Sequence, residues 1–469
     1  MISISRCHAR FRSIIGASRA LLALPAVGAL AASPSLQAQQ PVPVTPLRLT
    51  IGEAARLAAQ QSALAQGAHF RAEQAQARVT QRRAELLPSL SASALQSGRT
   101  FNTVTFGISF PAAPGQPPFF NPEGQVEGPV NTIDLRGHVQ TNLFDYSALA
   151  RVRSARVAAN AASAEAANAA DVAAAQAAAA YLRTVRSDAQ LIARLADSSL
   201  ATELLSIARS QLQAGVGVAL DVTRAQTQLA TVHAQLIAAR NERDRARLEL
   251  RRVLNLSLDT PIELADSLGA DVTTGDLAYD EQTATQRALR DRPDLRAAAE
   301  QLRAARQSVS AIRSERLPSV SAFGDDGVIG KDLGRVLPTY TYGIQLSVPI
   351  FDGFRREGRI EEQEAVAREL DVRRRDLEQQ AALEVRGALL DLASAREGVE
   401  AARERLRFSE QEVAQARERF RAGVAGNADV VTASVSLNAA RSQYVDALTA
   451  LQSARVTLAR AEGAITQLR

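Results

Sequence analysis

Two aspartates, Asp221 and Asp429, each follow a glycine-containing break: Gly215-Val216-Gly217 in one case, Gly423-Val424-Ala425 in the other. Glycine permits the tight turn. A carboxylate at the start of the returning helix suits the positive end of the helix dipole, so capping is the plain account of both acids. The other residues able to do chemistry are scattered. His69, His138 and His233 have no metal-ligand spacing. "GVGVAL" at the first break lacks the third glycine and the preceding strand of a dinucleotide motif. "GVIGKD" around Lys331 has the wrong spacing for a phosphate loop, and Asp332 stands where Ser or Thr is required. No Ser/His/Asp arrangement stands out. The expectation is a protein without catalytic residues, cofactor or metal.

The elements that carry the two breaks are unusually long. From Ser147 to Ala214 there is neither Gly nor Pro, and Arg359 to Ala422 has no Pro and two glycines. As single helices, such stretches would span about 100 Å. Val385, Leu392, Val399, Leu406, Val413 and Phe420 recur every seven residues, with Ala388, Ala395, Ala402, Ser409 and Ala416 three further on. Beyond the break the pattern resumes with Val430, Leu437, Tyr444, Leu451, Leu458 and Ile465 and an alanine partner series. Large residues at one seam position and alanine at the other let antiparallel helices approach closely and supercoil. The first long pair repeats this more loosely through Val222, Leu229 and Leu236.

The chain is written twice. "ELLPSLSAS" (85–93) recurs as "ERLPSVSAF" (315–323), "NLFDY" as "PIFDGF", and "LQAGVGVALDV" (212–222) as "FRAGVAGNADV" (420–430). Each copy reads helix, strand, loop, strand, very long helix, tip, long helix. In "TYTYGIQLSVPIFDGF" the period changes to two: Tyr340, Tyr342, Ile344, Leu346, Val348 and Ile350 point one way, and Thr341, Gly343, Gln345 and Ser347 the other. Ile133, Leu135, Val139 and Leu143 alternate with charged and polar neighbours in the first copy. One apolar and one polar face suits a barrel with lipid outside and water inside, and the six apolar residues of the 340–350 stretch are the expected lipid-facing set. A soluble sheet covered by the helices would give the same alternation. The joining loops are read as 97–130, long and rich in Gly, Pro and Phe, and 324–337, shorter. Four strands cannot close a spanning barrel and an open edge in lipid is not viable, so copies must combine: two give eight strands, three give twelve.

Composition narrows the compartment. The chain has 469 residues, a single cysteine, and a formal charge of +5. Arg6, Arg10, Arg12 and Arg19 precede or open the apolar run "ALLALPAVGALAA", which ends in a small-residue exit near Ala38. Residues 1–38 therefore read as a secretory signal peptide, too short for a membrane helix. Their removal leaves 51 of the 55 basic residues against 50 acidic ones, which gives no electrostatic case for nucleic acid. Cys7 leaves with the signal, and thiol chemistry with it.

In sum of these motifs, the chain resembles the TolC family of outer-membrane efflux ducts from about Leu47 to Ile465. The resemblance rests on the duplicated order, on "RPDLRAAAEQLRAARQSVSAIRSERLPSVSA" (292–322), on "VPIFDGFRREG" (348–358) and on the two AGV tips. It implies a homotrimer with a twelve-stranded barrel in the outer membrane and a helical tunnel across the periplasm. It also implies a periplasmic adaptor and an inner-membrane pump of the resistance-nodulation-division or ABC type. Carried over, Gly215, Val216, Gly217, Gly423, Val424 and Ala425 are the expected adaptor contacts, and Asp221 and Asp429 the acids at the pore entrance. Some relatives have a second acid one turn on, where this chain has Thr432, so a weaker acidic ring is expected.

The fold class expected is mainly α with a transmembrane β-barrel portion. Its segments are an N-terminal segment and first helix (39–87), strand pair 1 (88–146), helical hairpin 1 (147–265, tip 213–221), linker and helix (266–317), strand pair 2 (318–352) and helical hairpin 2 (353–469, tip 421–429). The expected function is a passive exit duct. The alternative is a periplasmic coiled-coil scaffold with no pore.

Overall fold

The computed structural model describes residues 46–106, 115, 123–269, 280–424 and 426–468. The signal peptide expected at 1–38, the tip residue Ala425 and residues 107–114 and 116–122 of the first joining loop lie outside the described residues.

The chain enters through a short strand, β1 (Leu47–Leu49), and two helices, α1 (Ile51–Gln61) and α2 (Ala63–Ala84). Thr50 and Glu53 form a reciprocal capping box at the start of α1. Ser62 breaks the run: its extended backbone ends α1, and its hydroxyl accepts from the Ala65 N–H to start α2. Strands β2 (Ser89–Asn102) and β3 (Val126–Asp145) follow, then α3 (Tyr146–Gln213) and α4 (Ala219–Val253). The second copy is introduced by β4 (Ile262–Leu264). It continues with α5 (Glu281–Asp291), α6 (Pro293–Ser314), β5 (Ser319–Gly330), β6 (Val336–Ser347), α7 (Arg355–Arg421) and α8 (Asn427–Ala461). The long helices α3 and α7 have 68 and 67 residues. No helix among the described residues is long and apolar enough to cross a membrane.

The four long strands form one antiparallel sheet in the order β2-β3-β5-β6, with β2 and β6 as open edges. The joining loops differ from the expectation of 97–130 and 324–337. Residues 324–330 are strand, because each pairs with β3 on one side and β6 on the other, and the connecting turn is only 331–335. Likewise β2 extends to Asn102 and β3 begins at Val126. Gly and Asp in "GDDG" favour turns locally, but ladder hydrogen bonds from both neighbours override that preference. A second difference concerns Val348 and Ile350, which lie beyond the last residue of β6. Pro349 between them has no N–H to donate, so the ladder stops.

Below the sheet, α3 packs against α2 and α6, and α6 against α7. Toward the tips, α3 packs against α4 and α8, and α8 against α7. The predicted seam is buried where the antiparallel pair meets: Val385, Ala388, Leu392, Val413 and Phe420 on α7, and Val430, Ala433, Leu437, Ala440, Ala454 and Leu458 on α8. The largest core lies at mid-length, where β1 pairs in parallel with β4 and packs with α1, α5 and the C-terminal turn around Tyr181. The Tyr181 hydroxyl donates to the Leu49 carbonyl at 2.9 Å and accepts from the Asp266 N–H at 3.2 Å, closing this girdle. The β1–β4 pair falls partly in the segment expected to belong to hairpin 1. Three-residue strands some 215 positions apart leave no period to read.

Candidate functional site

The sheet separates its side chains cleanly. Cross-strand partners share a face, so Leu90, Val139, Gly324 and Tyr342 make one row, and Ala94, Leu135, Val328 and Pro338 another. This face also holds Ile344 and Leu346. Its large residues are bare: Leu90 is 83% and Tyr342 80% exposed. Tyr340 and Tyr342 stack at 6.2 Å, and Phe351 and Phe354 meet edge to face at 5.5 Å below the strands. Exposed apolar side chains of this kind, on one face of a sheet only, need a partner surface to cover them. Asp326 is the exception on this face, opposite Tyr340.

The opposite face carries Ser93, Arg136 and Thr339 in one row, and Ser91, His138, Asp325 and Thr341 in the next. Arg136 donates to Asp325, to Asp134 at 3.2 Å and to the Thr339 hydroxyl at 3.1 Å. His138 meets the Ser93 hydroxyl at 2.9 Å. The polar face continues into the helices. Asn142 donates to the Glu85 carbonyl at 2.9 Å, and the Glu85 carboxylate takes Arg82 at 2.7 Å and Arg151 at 2.8 Å. Burial pushes the Glu85 carboxyl up, but its hydrogen bonds from Arg82 and Arg151 outweigh burial and hold it below the ordinary value. Glu85 and Arg151 also line an open hollow of about 930 Å³ between α2, α3, α6 and α7. Asn142 and Glu85 thus link the polar side of the sheet to the helices that line this hollow.

At the far end, both breaks close with the same backbone geometry. Gly215 (φ +74°) donates to the Leu212 carbonyl and Val216 to that of Gln211; Gly423 (φ +70°) donates to Phe420 and Val424 to Arg419. These paired 6→1 and 5→2 bonds are Schellman motifs, and the left-handed residue they need is glycine. Val216 and Val424 are exposed. The aspartates are not the caps: Val218 and Gly426 are the N-cap residues, and Asp221 and Asp429 sit in the first helical turn. The two acids differ. Asp221 is half-buried and pairs with Arg224 at 3.7 Å, whereas Asp429 is exposed and makes no hydrogen bond or ion pair among the described residues.

The tips are tied together by residues that sequence reasoning missed. The buried Asp197 on α3 accepts from Arg441 on α8 at 2.8 Å and from Arg194 at 3.1 Å. Glu203 on α3 pairs with Arg417 and Arg421 on α7, and the buried Asn427 donates to the Asp221 carbonyl at 2.7 Å. A signal existed for Asp197: Ala193 and Ala201, four residues to either side, share its buried face. Among the described residues, no group of three His, Cys, Asp or Glu could hold a metal ion.

The model of the outer membrane efflux protein family matches residues 54–256 and 284–464. The chain belongs to the outer membrane efflux protein family. That places it in the outer membrane, among channel proteins, and agrees with the resemblance carried by the duplicated motifs. The alkaline protease secretion protein AprF of Pseudomonas aeruginosa is 27% identical over 278 residues, 58% of this chain and 54% of AprF, so the chain spans about half the length of that relative. Two solved channels share the fold of this efflux-family chain. The Campylobacter jejuni CmeC outer membrane channel has a TM-score of 0.72 at 18% identity, covering 88% of this chain and 85% of its own. VceC of Vibrio cholerae, an outer membrane protein, has a TM-score of 0.71 at 20% identity, covering 88% and 96%.

Proposed function

We propose that this protein is a passive exit duct of the outer membrane, assembled from three copies. The observation that carries this reading is the run of polar contacts from one face of the sheet, through Asn142, to Glu85 and Arg151 on the helices. An open four-stranded sheet with a bare apolar side and two unpaired edges requires neighbours. Three copies give twelve strands, within the range of spanning barrels. Efflux of small compounds and export of polypeptides, the role named for AprF, both fit a passive conduit. Energy then comes from an inner-membrane pump of the resistance-nodulation-division or ABC type, reached through a periplasmic adaptor.

The tips are the adaptor surface in this reading. Gly215, Val216 and Gly217, with Gly423, Val424 and Ala425, are the residues that contact the adaptor at the periplasmic end. Asp221 and Asp429 repeat three times around the axis and set the charge of the entrance. Light scattering of the mature protein in mild detergent tests the assembly. A trimer that also conducts in planar bilayers is expected; a stable monomer with its sheet intact overturns the reading.

A further inference from the structure

We propose that α2 carries an anion-binding ladder on the wall of the duct, formed by Arg71, Gln74, Arg78 and Gln81, whose ligand is a small multivalent oxyanion. The inference rests on the duct reading above and deepens it by naming a class of solute that the wall retains.

The four residues recur at i, i+3, i+7 and i+10, which places them on one face of α2. All four are exposed and line the open 930 Å³ hollow shared with α3, α6 and α7, a size suited to a small ligand. Arg71 and Arg78 are two helical turns apart, about 10 Å. Every rung can donate, and the guanidinium fork matches carboxylate or phosphate oxygens two at a time.

The charge balance of the hollow points the same way. Five arginines line it, Arg71, Arg78, Arg82, Arg151 and Arg359, against Glu85, Glu315 and Glu362. Glu85 is taken by Arg82 and Arg151, and Glu315 by Arg359 at 2.8 Å. Arg71 and Arg78 have no hydrogen-bond or ion-pair partner among the described residues. On the opposite side of α2, His69 meets Glu73 at 3.3 Å.

The duplicated copy supplies the control. Helices α2 (63–84) and α6 (293–314) correspond at a constant offset and line the same hollow. Where α2 has Arg71, Gln74, Arg78 and Gln81, α6 has Gln301, Ala304, Ser308 and Ala311. The repeat therefore folds and packs without a ladder, and the donors on α2 serve something other than the fold.

Distance decides the kind of anion. Twelve helices about 10 Å apart enclose a bore of roughly 25–30 Å. The Debye length at physiological salt is about 8 Å, so an ion on the axis barely senses the wall. A monovalent anion is not held there. A multivalent one touching both arginines is.

The test uses the mature protein in planar bilayers at physiological salt, with citrate and inorganic pyrophosphate as separate blockers that distinguish a polycarboxylate from a polyphosphate. Block by either anion is expected. Arg71→Gln combined with Arg78→Gln should raise the half-blocking concentration roughly tenfold or more. Arg71→Lys with Arg78→Lys should fall between the two. A duct that conducts but is blocked by neither anion, or a double variant blocked as well as the native protein, overturns the ladder. A protein that carries no current fails the duct reading instead. Calorimetric titration of the detergent-solubilised trimer with the same two anions then decides the ladder alone: heat lost in the double variant supports it, and no heat in the native protein overturns it.

Discussion

In copy one the acid of the returning helix, Asp221, has Arg224 one turn on; in copy two the same positions are Asp429 and Thr432. In copy one α2 lines the hollow with arginines and glutamines; in copy two α6 lines it with Ser308 and Ala311. Yet α4 and α8 are both 35 residues long, α3 and α7 differ by one, and both tips turn on a left-handed glycine. The contrast separates two kinds of constraint. Residues that set length, curvature and turn geometry are the same in both copies, because two halves of one wall must match in height. The residues that line the hollow diverge: on α6, Ser308 hydrogen-bonds Ser154 at 3.0 Å and Ala311 is buried, whereas on α2 Arg71, Gln74, Arg78 and Gln81 are exposed.

The largest effect is expected on the apolar face of the sheet, which the proposed duct turns to lipid. Val139 and Leu346 occupy corresponding strands and both lie on that face. Arginine at either site should cost about 2–4 kcal/mol per chain near the midplane and prevent membrane assembly, whereas Gln345→Arg on the inner face should be mild. Outer-membrane fractionation with a heat-modifiability assay checks this. Tolerance of Val139→Arg but not Leu346→Arg would mean that the copies do not sit alike in the membrane.

The tips come next. A side chain at Gly215 or Gly423 would meet nothing within 4 Å, so any cost arises from the left-handed backbone and not from crowding. Gly→Val should therefore cost about 1–2 kcal/mol at each tip and abolish efflux. Gly→Asn, which tolerates that conformation, should largely preserve it. Drug-susceptibility assays of a complemented deletion strain read both. Equal loss with Val and Asn would show that the tip requires a bare surface and not a special dihedral. Survival of Gly215→Val alone would show that only the second tip docks.

A third contrast lies at mid-height. Asp171 on α3 corresponds, counting back from the tips, to Gln379 on α7. Burial, aided by the charge of Asp294, pushes the Asp171 carboxyl up to about 6 from 3.8. The folded protein thus binds this proton more tightly than the unfolded chain. The penalty is fully present above about pH 6 and fades as pH falls toward 4. Full linkage over that span is about 3 kcal/mol, but the side chain is partly solvated, so about 1 kcal/mol is expected. Asp171→Asn should raise the urea midpoint of the solubilised trimer at pH 7.5 and lose that advantage near pH 4.5. An advantage independent of pH would mean that packing, not charge, separates the copies here.

What could be read from the sequence was whatever repeats at short range. The heptads of α7 and α8, the glycine tips and the alternation through Tyr340 to Leu346 are local periods, and each stands in the structure where its period placed it. What could not be read depends on partners far away. Gly324 to Gly330 are strand only because β3 and β6 flank them. The β1–β4 pair joins segments too short to show a period. The unequal surroundings of Asp221 and Asp429 required knowing that Arg224 turns back toward one of them. The hollow required four helices from both copies to be seen together.

The smallest effect, at the entrance, is the sharpest test of the contrast between copies. Asp221 shares its field with Arg224, so the pair is nearly neutral at a distance; Asp429 has no such neighbour. In a trimer each recurs three times around the axis, and the ring formed by Asp429 should dominate the attraction for cations. Asp429→Asn should then move the reversal potential of the duct in a potassium chloride gradient toward zero, while Asp221→Asn moves it less. Arg224→Thr, which gives copy one the residue found in copy two, should move it the other way and increase cation preference. Exposed charges in a wide mouth are worth only tenths of a kcal/mol each, so all three shifts should vanish near 1 M salt, where the Debye length is about 3 Å. Equal shifts for the two asparagine variants would show that Arg224 does not shield its neighbour. No shift in either would remove both aspartates from the entrance and leave them as acids in the first turn of a helix, favoured there by its dipole alone.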